Sequence, residues 1–460
     1  MAESTMIRFY DSSLGKVETP QGTMTLSKVF FPFFLEMFLM NLMSTVNTFT
    51  LSFYSDEAVA AVGAAGQFMG MIITFYTVIS TGASIVISQN IGAGKTKSAS
   101  DAAFCALTVS ASLSFLISFL LGFAARPLMS LMNISGDVLD YAASYFGICI
   151  RFSFLQAVTS VSSAIFKSCG RPKISVCVSL GMNGINALLN YLVIFRPIEI
   201  PLHGVTGIAW SYAISTACAA VTMLILLARI PLGLDFRHKS RESFRMIRKV
   251  LRVGIPGGIS SLSYSISQVV TTSIIALVGV SAVSAKIYVS NLVFYVYVFG
   301  MSLGLSTSLM IGWLTGAGRY EQAYRLNLQN LRITIVLNGT LSLLLFLFGN
   351  PLLGIFTSDP EILAMGRGLL LIDVLVEIFR GFNHIEENSL RGSGDVVFPM
   401  VVSMISCWTM SVLFSYLLGV RLGLGLAGCW IAFAMDEAFR GINYFRRWRS
   451  RKWMKKTQVE

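Results

Sequence analysis

Ionisable side chains embedded in strongly apolar runs are the groups here that could do chemistry. Asp373, Glu377 and Arg380 fall at i, i+4 and i+7, which places them on one face of a helix. Asp436, Glu437 and Arg440 form a second group, with Asp436 and Arg440 at i, i+4. Each group holds two carboxylates to one guanidinium. An acid–Arg pair can do no more than neutralise charge, and that reading stays open for both groups. A surplus carboxylate with restricted access to water can instead hold a proton or a small cation. Tyr264 and Gln268, also at i, i+4, could add polar oxygens to such a site.

The first half carries fewer such groups. Glu36 and Asn47 are eleven residues apart, about three helical turns, so they share a face. Glu36 lies roughly 12 Å in from the cytoplasmic end of its apolar run, and Arg151 roughly 18 Å in from the outer end of its own. In a hydrocarbon core about 30 Å thick those depths coincide, which predicts a Glu36–Arg151 pair. The pair would be either a fixed clamp or a gate that opens when Glu36 binds a proton or cation. Other chemistries fail on spacing. Gly94-Lys95-Thr96 lacks the upstream glycine of a phosphate loop, because Gln89 stands there. His203, His238 and His384 are scattered, and none forms an i, i+4 ligand pair.

The elements that hold these residues follow from composition. The 460 residues are 54% hydrophobic and 13% charged, about half the charge of an ordinary soluble domain. About twelve apolar runs are long enough to span a bilayer: 28–52, 62–87, 102–124, 139–166, 174–195, 205–229, 252–278, 286–312, 328–349, 362–390, 396–419 and 425–446. Strand-like alternation is absent, and lipid admits only helices or closed barrels, so the spans are helical. The first run follows a polar segment of more than twenty residues and has no cleavage-site pattern, so it is read as a span. The net charge of +12 is distributed by topology. Basic residues crowd the loops after spans 2, 4 and 6 (Arg237, Lys239 and Arg241 among them) and the C-terminal tail from Arg446 to Lys456. The opposite loops hold little more than Arg126, Arg196, Lys286, Arg367 and Arg421. Both termini are therefore expected in the cytoplasm, with the protein in the plasma membrane. No nucleic-acid partner is implied. The seven cysteines have no regular spacing and read as small packing residues.

The sequence also reads twice. Pro32 and Pro256 are 224 residues apart (256 minus 32). The same shift maps Ala58-Val59 onto Ala282-Val283, Gly92-Ala93-Gly94 onto Gly316-Ala317-Gly318, Pro127-Leu128 onto Pro351-Leu352, and Gly170 onto Gly394. Later the register slips, and Gly204-x-x-Gly207 answers to Gly425-x-x-Gly428. Two like halves in a membrane point to a transporter with a cavity between pseudo-symmetric lobes. The expected organisation is a cytoplasmic segment 1–27, an N-lobe 28–230, a basic linker 231–251, a C-lobe 252–446 and a basic tail 447–460.

Several segments resemble the multidrug and toxic compound extrusion (MATE) family. They are Pro32 followed by Val46-Asn47-Thr48 and Ala58-Val59-Ala60-Ala61-Val62-Gly63, then Gly82 to Gly94 with its repeat Thr307 to Gly318, then Leu390-Arg391-Gly392-Ser393-Gly394-Asp395. The resemblance covers about residues 28–446. It implies an all-α polytopic membrane protein with twelve transmembrane helices in two six-helix lobes, and export of organic cations in exchange for sodium ions or protons. Many members of the family carry Asp where this chain has Asn47, and that Asp is implicated in coupling. Asn cannot titrate, although its carbonyl could ligate sodium. Glu377-x-x-Arg380-x-x-Asn383 with Asp436-Glu437-x-x-Arg440 resembles one bacterial branch of the family.

The resulting expectation is a secondary antiporter, not an enzyme, with no cofactor beyond a coupling sodium ion or proton. Its partners would be a small cationic substrate and the lipid bilayer, and it would act as a monomer. Among the plentiful aromatics, Phe75, Tyr76, Phe152, Phe154, Phe294, Tyr295 and Tyr297, a few would line a cleft for flat cations. The alternatives are a lipid-linked-precursor flippase or narrow metabolite exporter of related design, a membrane-embedded acyltransferase, and a non-transporting receptor. The flippase would need an uncompensated basic cleft, whereas Arg151, Arg380 and Arg440 are each expected to meet an acid.

Overall fold

The computed structural model describes residues 13–19, 22–132, 134–196, 203–230, 232 and 243–459. Arg237, His238, Lys239 and Arg241, with most of the basic linker, lie outside the described residues, as do residues 1–12. In the first half the helices are α1 (Leu26–Ser52), α2 (Asp56–Gly92), α3 (Thr96–Phe123), the short α4 (Ala125–Ser130), α5 (Gly136–Ser168), α6 (Pro172–Phe195) and α7 (Gly204–Arg229). In the second they are α8 (Ser243–Val278), α9 (Val280–Gly316), α10 (Tyr320–Leu347), the short α11 (Gly349–Leu353), α12 (Pro360–Gly392), α13 (Val397–Ser406) and α14 (Gly425–Arg449). Beyond α13 the chain continues as two π-wound stretches, Cys407–Leu413 and Ser415–Arg421. Strands β1 (Lys16–Thr19) and β2 (Gly22–Thr25) pair as a small hairpin in the polar N-terminal segment. Four-residue strands are too short for an alternation pattern to stand out, so the expectation of helices alone missed them.

The repeat is a property of the backbone. Helices α2 and α9 are both 37 residues long, α3 and α10 both 28, and α5 and α12 both 33. Their starts, at 56 and 280, 96 and 320, and 136 and 360, differ by 224 in each pair. The turns between them use glycine in matched left-handed conformations: Gly94 and Gly318 at φ 71° and 72°, Gly170 and Gly394 at 78° and 94°. A Cβ would strain those conformations, which is why glycine recurs there. Gly204 and Gly425, at φ 51° and 59°, open α7 and α14. The register slip falls where the sequence places it. A close helix approach is shared too: Ser168 Oγ donates to Ser84 O at 3.1 Å, and the corresponding Gly392 lies against the backbone of Ser308.

The chain divides into two compact units, built mainly on Phe31–Gly258 and on Ile259–Glu460, with the division inside α8. The first buries Met69, Phe146 and Ile150 among small residues of α2, α5 and α7. The second buries Val289, Leu369, Leu370 and Trp430 where α9, α12 and α14 meet.

Among the described residues ten helices are long and apolar enough to cross a membrane. Helices α12 and α14 are not among them, although their 33 and 25 residues would extend about 50 and 37 Å. They have the length and lack the apolarity, because they carry the charged groups. Several helices also exceed the expected spans by about a turn or more at an end. In α9 this matters: it begins at Val280, so Lys286 lies nearly two turns inside a helix, not in a loop.

Candidate functional site

The second unit contains a cavity of about 260 Å³ lined by α8, α9, α12 and α14. Tyr264 and Gln268 come from α8, Lys286, Phe294 and Tyr297 from α9, Asp373 and Arg380 from α12, and Trp430, Asp436 and Glu437 from α14. Helical periodicity delivers each set to one wall, and Asp359 starts α12 by accepting hydrogen bonds from Glu361 N at 2.9 Å and Ile362 N at 3.5 Å.

The two charged groups of the sequence become one network. Arg380 Nη1 is in direct contact with Glu377 Oε1, and Arg380 Nε donates to Glu437 Oε1 at 3.2 Å. Arg440 Nη2 lies 2.6 Å from Asp436 Oδ2 and 3.2 Å from Glu437 Oε1. Glu437 therefore joins the two arginines. Polar neighbours complete the shell. Asn383 Nδ2 donates to the Glu437 carboxylate and backbone carbonyl, Ser406 Oγ to Asp436 Oδ1 at 2.6 Å, and Asn338 Nδ2 to Glu377 Oε2 at 3.4 Å. Tyr264 lies beneath Arg440, its ring 5.8 Å from the guanidinium carbon.

Asp373 stands apart. Its Oδ1 accepts from Trp430 Nε1 at 3.1 Å, its Oδ2 is buried without a partner, and no basic group pairs with it among the described residues. The carboxylate surplus expected from sequence is thus localised. Lys286, expected in an outer loop, lines the same cavity with its Nζ bonded to Thr272 Oγ1. Four carboxylates (Asp373, Glu377, Asp436 and Glu437) face three cationic groups (Arg380, Arg440 and Lys286), so the surplus is one charge. Lys286, Trp430, Asn338 and Ser406 were missed by the sequence reading. A residue count from the true start of α9 would have exposed Lys286; nothing local marks the other three.

The first unit departs from expectation. Glu36 does not meet Arg151. It pairs with Lys167 at 2.5 Å, and the ammonium also lies 4.6 Å from the centre of the Phe33 ring. Arg151 and Lys167 are sixteen residues apart on α5, about 160° around the helix. They are also about 24 Å apart along it, so both the depth and the angle separate Arg151 from Glu36, whose partner stands at the end of α5. The Arg151 stem packs on Gly122, and its exposed head lines a surface groove with Arg126 and Asp140. Arg126 pairs with Asp140 at 2.9 Å, and no acid pairs with Arg151 among the described residues.

Asn47 enters a chain of amides. Asn190 Nδ2 donates to Asn47 Oδ1 at 2.6 Å and to Asn186 Oδ1 at 3.2 Å, and Asn186 Nδ2 donates to Ser215 Oγ at 3.4 Å. All four groups are neutral. Although Glu36 and Asn47 share a face of α1, they address α5 and α6 respectively. Of the aromatics, Phe294 and Tyr297 line the cavity, whereas Tyr76 forms a buried hydroxyl cluster, with Ser153 at 2.8 Å and Ser118 at 3.4 Å.

The profile of the MatE family matches the chain twice, over residues 32–192 and 256–417. The chain is 35% identical over 435 residues to the uncharacterized transporter YisQ of Bacillus subtilis, covering 94% of this chain and 96% of that protein. It is 25% identical over 461 residues to a probable multidrug resistance protein, NorM, of Thermotoga maritima, covering 97% and 96% of the two chains. Its fold matches that of a MOP superfamily transporter from Pyrococcus furiosus with a TM-score of 0.85 at 21% identity, over 94% of this chain and 96% of that one.

Proposed function

The chain belongs to the MatE family of membrane transporters, and on that premise we propose that it is a secondary antiporter that exports amphipathic organic cations. Sodium ions or protons would drive it, and alternating access of an N-lobe, 28–230, and a C-lobe, 252–446, would carry the substrate. Its place would be the plasma membrane, as a monomer with both termini in the cytoplasm. The name of the Thermotoga relative supports the multidrug reading.

The observation that carries this proposal is the cavity of the second unit. Its walls combine Phe294, Tyr297 and Trp430 with an uncompensated carboxylate, Asp373. Aromatic faces and a net negative charge suit a flat cation. The same carboxylate suits a small coupling cation, so substrate and ion would compete for one charge. That competition is the simplest way to exchange them.

A related flippase of lipid-linked precursors would need basic groups free to hold phosphates. Arg151 and Lys286, which have no carboxylate partner among the described residues, favour that reading. The acid surplus around Lys286 and the surface position of Arg151 weigh against it.

The test is uptake of a fluorescent cationic dye by proteoliposomes with the membrane potential clamped. A sodium gradient and a pH gradient are imposed in turn, with Glu377→Gln and Asp373→Asn alongside. Uptake driven by one gradient and lost in the variants is the expected result. Failure of every dye under both gradients would remove the drug-antiport reading.

A further inference from the structure

One buried carboxyl group outside the cavity has no counter-charge among the described residues. Glu386, on α12, is fully buried, and no hydrogen bond reaches either of its oxygens among the described residues. Its polar neighbour is Asn327 on α10. Asn327 is also fully buried; its Nδ2 donates to Ser389 Oγ at 2.9 Å and its Oδ1 has no partner.

A second asparagine reaches the same level. Helices α10 and α12 pack antiparallel: Asn327 meets Ser389, Thr334 meets Gly381, and Asn338 meets Glu377. Three residues on along α10 and three back along α12 from the Asn327–Ser389 bond, Asn330 stands level with Glu386. Asn330 repeats the pattern of Asn327. It is fully buried, its Nδ2 donates to Thr307 Oγ1 on α9 at 2.8 Å, and its Oδ1 has no partner. Each amide NH₂ thus gives one of its two hydrogens to a hydroxyl, and the second N–H of Asn327 is the donor nearest Glu386. The acceptor oxygens without a hydrogen-bond partner among the described residues are two from Glu386 and one from each asparagine.

The charged groups on the surrounding helices are committed elsewhere. Glu387 pairs with Arg391 at 2.5 Å, Arg325 with Glu321 at 3.2 Å and Arg447 with Asp395 at 2.7 Å. Asp436, Glu437 and Arg440 belong to the cavity network, and Tyr444 lies on the side of Glu387 and Arg391. Arg332 lies roughly 140–200° around α10 from the two asparagines, and Lys286 is roughly 30 Å along α9 from Thr307. His384, two residues before Glu386, packs edge-on against the Tyr297 ring. A bare carboxylate in such a setting is too costly to persist.

Packing does not demand these residues. Shifted by 224, Glu386, Asn327, Asn330 and Thr307 correspond to Ser162, Ala103, Ala106 and Ala83. All four counterparts are buried in the first unit, where the same helix positions close with small side chains. The acceptor set is therefore an addition to one half of a repeated scaffold.

We infer that Glu386, Asn327 and Asn330 form a binding site for one small monovalent cation, a proton or a sodium ion, separate from the cavity. Glu386 is about 9 Å along α12 from Arg380, which lines the cavity. The inference concerns ion binding and does not depend on what the cavity transports.

The test is infrared difference spectroscopy on the full-length protein in lipid nanodiscs. Acidity is stepped in sodium-free buffer, and sodium chloride is then added at fixed pH, with choline chloride as the control. The expected result is a carboxylic-acid carbonyl band that vanishes in one or both titrations, is missing in Glu386→Gln, and persists in Glu377→Gln. Loss with rising pH alone identifies the proton, and loss on adding sodium but not choline identifies the sodium ion. Asn330→Ala keeps the carboxyl and should shift the band, which preserves the test if Glu386→Gln does not fold. A band unchanged in Glu386→Gln, a band that neither pH nor sodium moves, or an Asn330→Ala spectrum identical to wild type would overturn the inference. Loss of dye transport in Glu377→Gln with this band intact would separate the cavity from the ion site.

Discussion

Helices α5 and α12 have the same length, start 224 residues apart and end in the same kind of glycine turn, yet they carry opposite chemistries. Where α12 has Asp373, Glu377, Arg380 and Glu386, α5 has Cys149, Ser153, Gln156 and Ser162. The α5 groups are neutral, and Ser153 shares 2.8 Å hydrogen bonds with Tyr76 on α2 and Ser118 on α3. At the position of Tyr76 the second half has Gly300, whose space is taken by Asn338 and His384. That exchange of a large ring for two polar side chains lets an amide reach Glu377. The difference teaches that backbone and charge are separate layers. Turns and helix lengths are shared by both halves, while among the described residues the buried network of linked acids and arginines occurs in only one. Two arginines and four acids in an apolar unit cost more than neutral side chains such as those at the matching positions of α5. Their retention points to a use.

The comparison is most directly broken at Arg380. Arg380→Ala leaves Glu377 and Glu437 short of a partner, and a loss of about 3–5 kcal/mol is expected in thermal unfolding in detergent. Gln156→Ala, at the matching position of α5, should cost about 1 kcal/mol. Equal losses would mean that the charged network is no more than packing. Gly300→Ala comes next. Its Cβ would stand 2.8 Å from His384 Nδ1 and 3.0 Å from Asn338 Nδ2, so about 1–3 kcal/mol should be lost. A crystal structure of that variant should show Asn338 displaced from Glu377.

Asp373→Asn sharpens the contrast in function. It keeps the shape of the site and removes the surplus charge, so gradient-driven uptake should fall about tenfold, the equivalent of about 1.4 kcal/mol. Its unfolding temperature should stay near that of the wild type, and unchanged uptake would move coupling elsewhere. In the first unit the effects shrink. Glu36→Gln breaks a pair whose lysine ends α5, close enough to its end to find water, so about 1 kcal/mol is expected, with uptake retained. Loss of uptake there would restore the first unit as a site of coupling. Arg151→Ala, at an exposed position with no ion pair to break among the described residues, should change stability by no more than about 0.5 kcal/mol.

Much of this was legible in the chain. The repeated glycines and prolines disclosed two matched sets of helices, because a positive φ or a helix start constrains residue type locally. The i, i+4 and i+7 spacing of Asp373, Glu377 and Arg380 disclosed a charged helix face for the same reason. What failed were statements about where side chains on different helices meet. Glu36 was assigned to Arg151 on depth alone, although its partner Lys167 lies about 24 Å further along α5 and about 160° around it. Lys286 was assigned to a loop, although α9 begins six residues earlier, at Val280.

By itself, then, the sequence determined whatever depends on neighbours along the chain: helical spans, matched turns, the halves of the repeat, and a surplus of acid on two helices. Only the tertiary structure decided which charges meet. It joined Arg380 to Glu437 across 57 residues, left Asp373 with an indole and no arginine, and set Asn330 level with Glu386. Those outcomes depend on how each helix is rotated and shifted against its neighbours. Those rotations are set by the packing of whole faces, which no single stretch of residues contains.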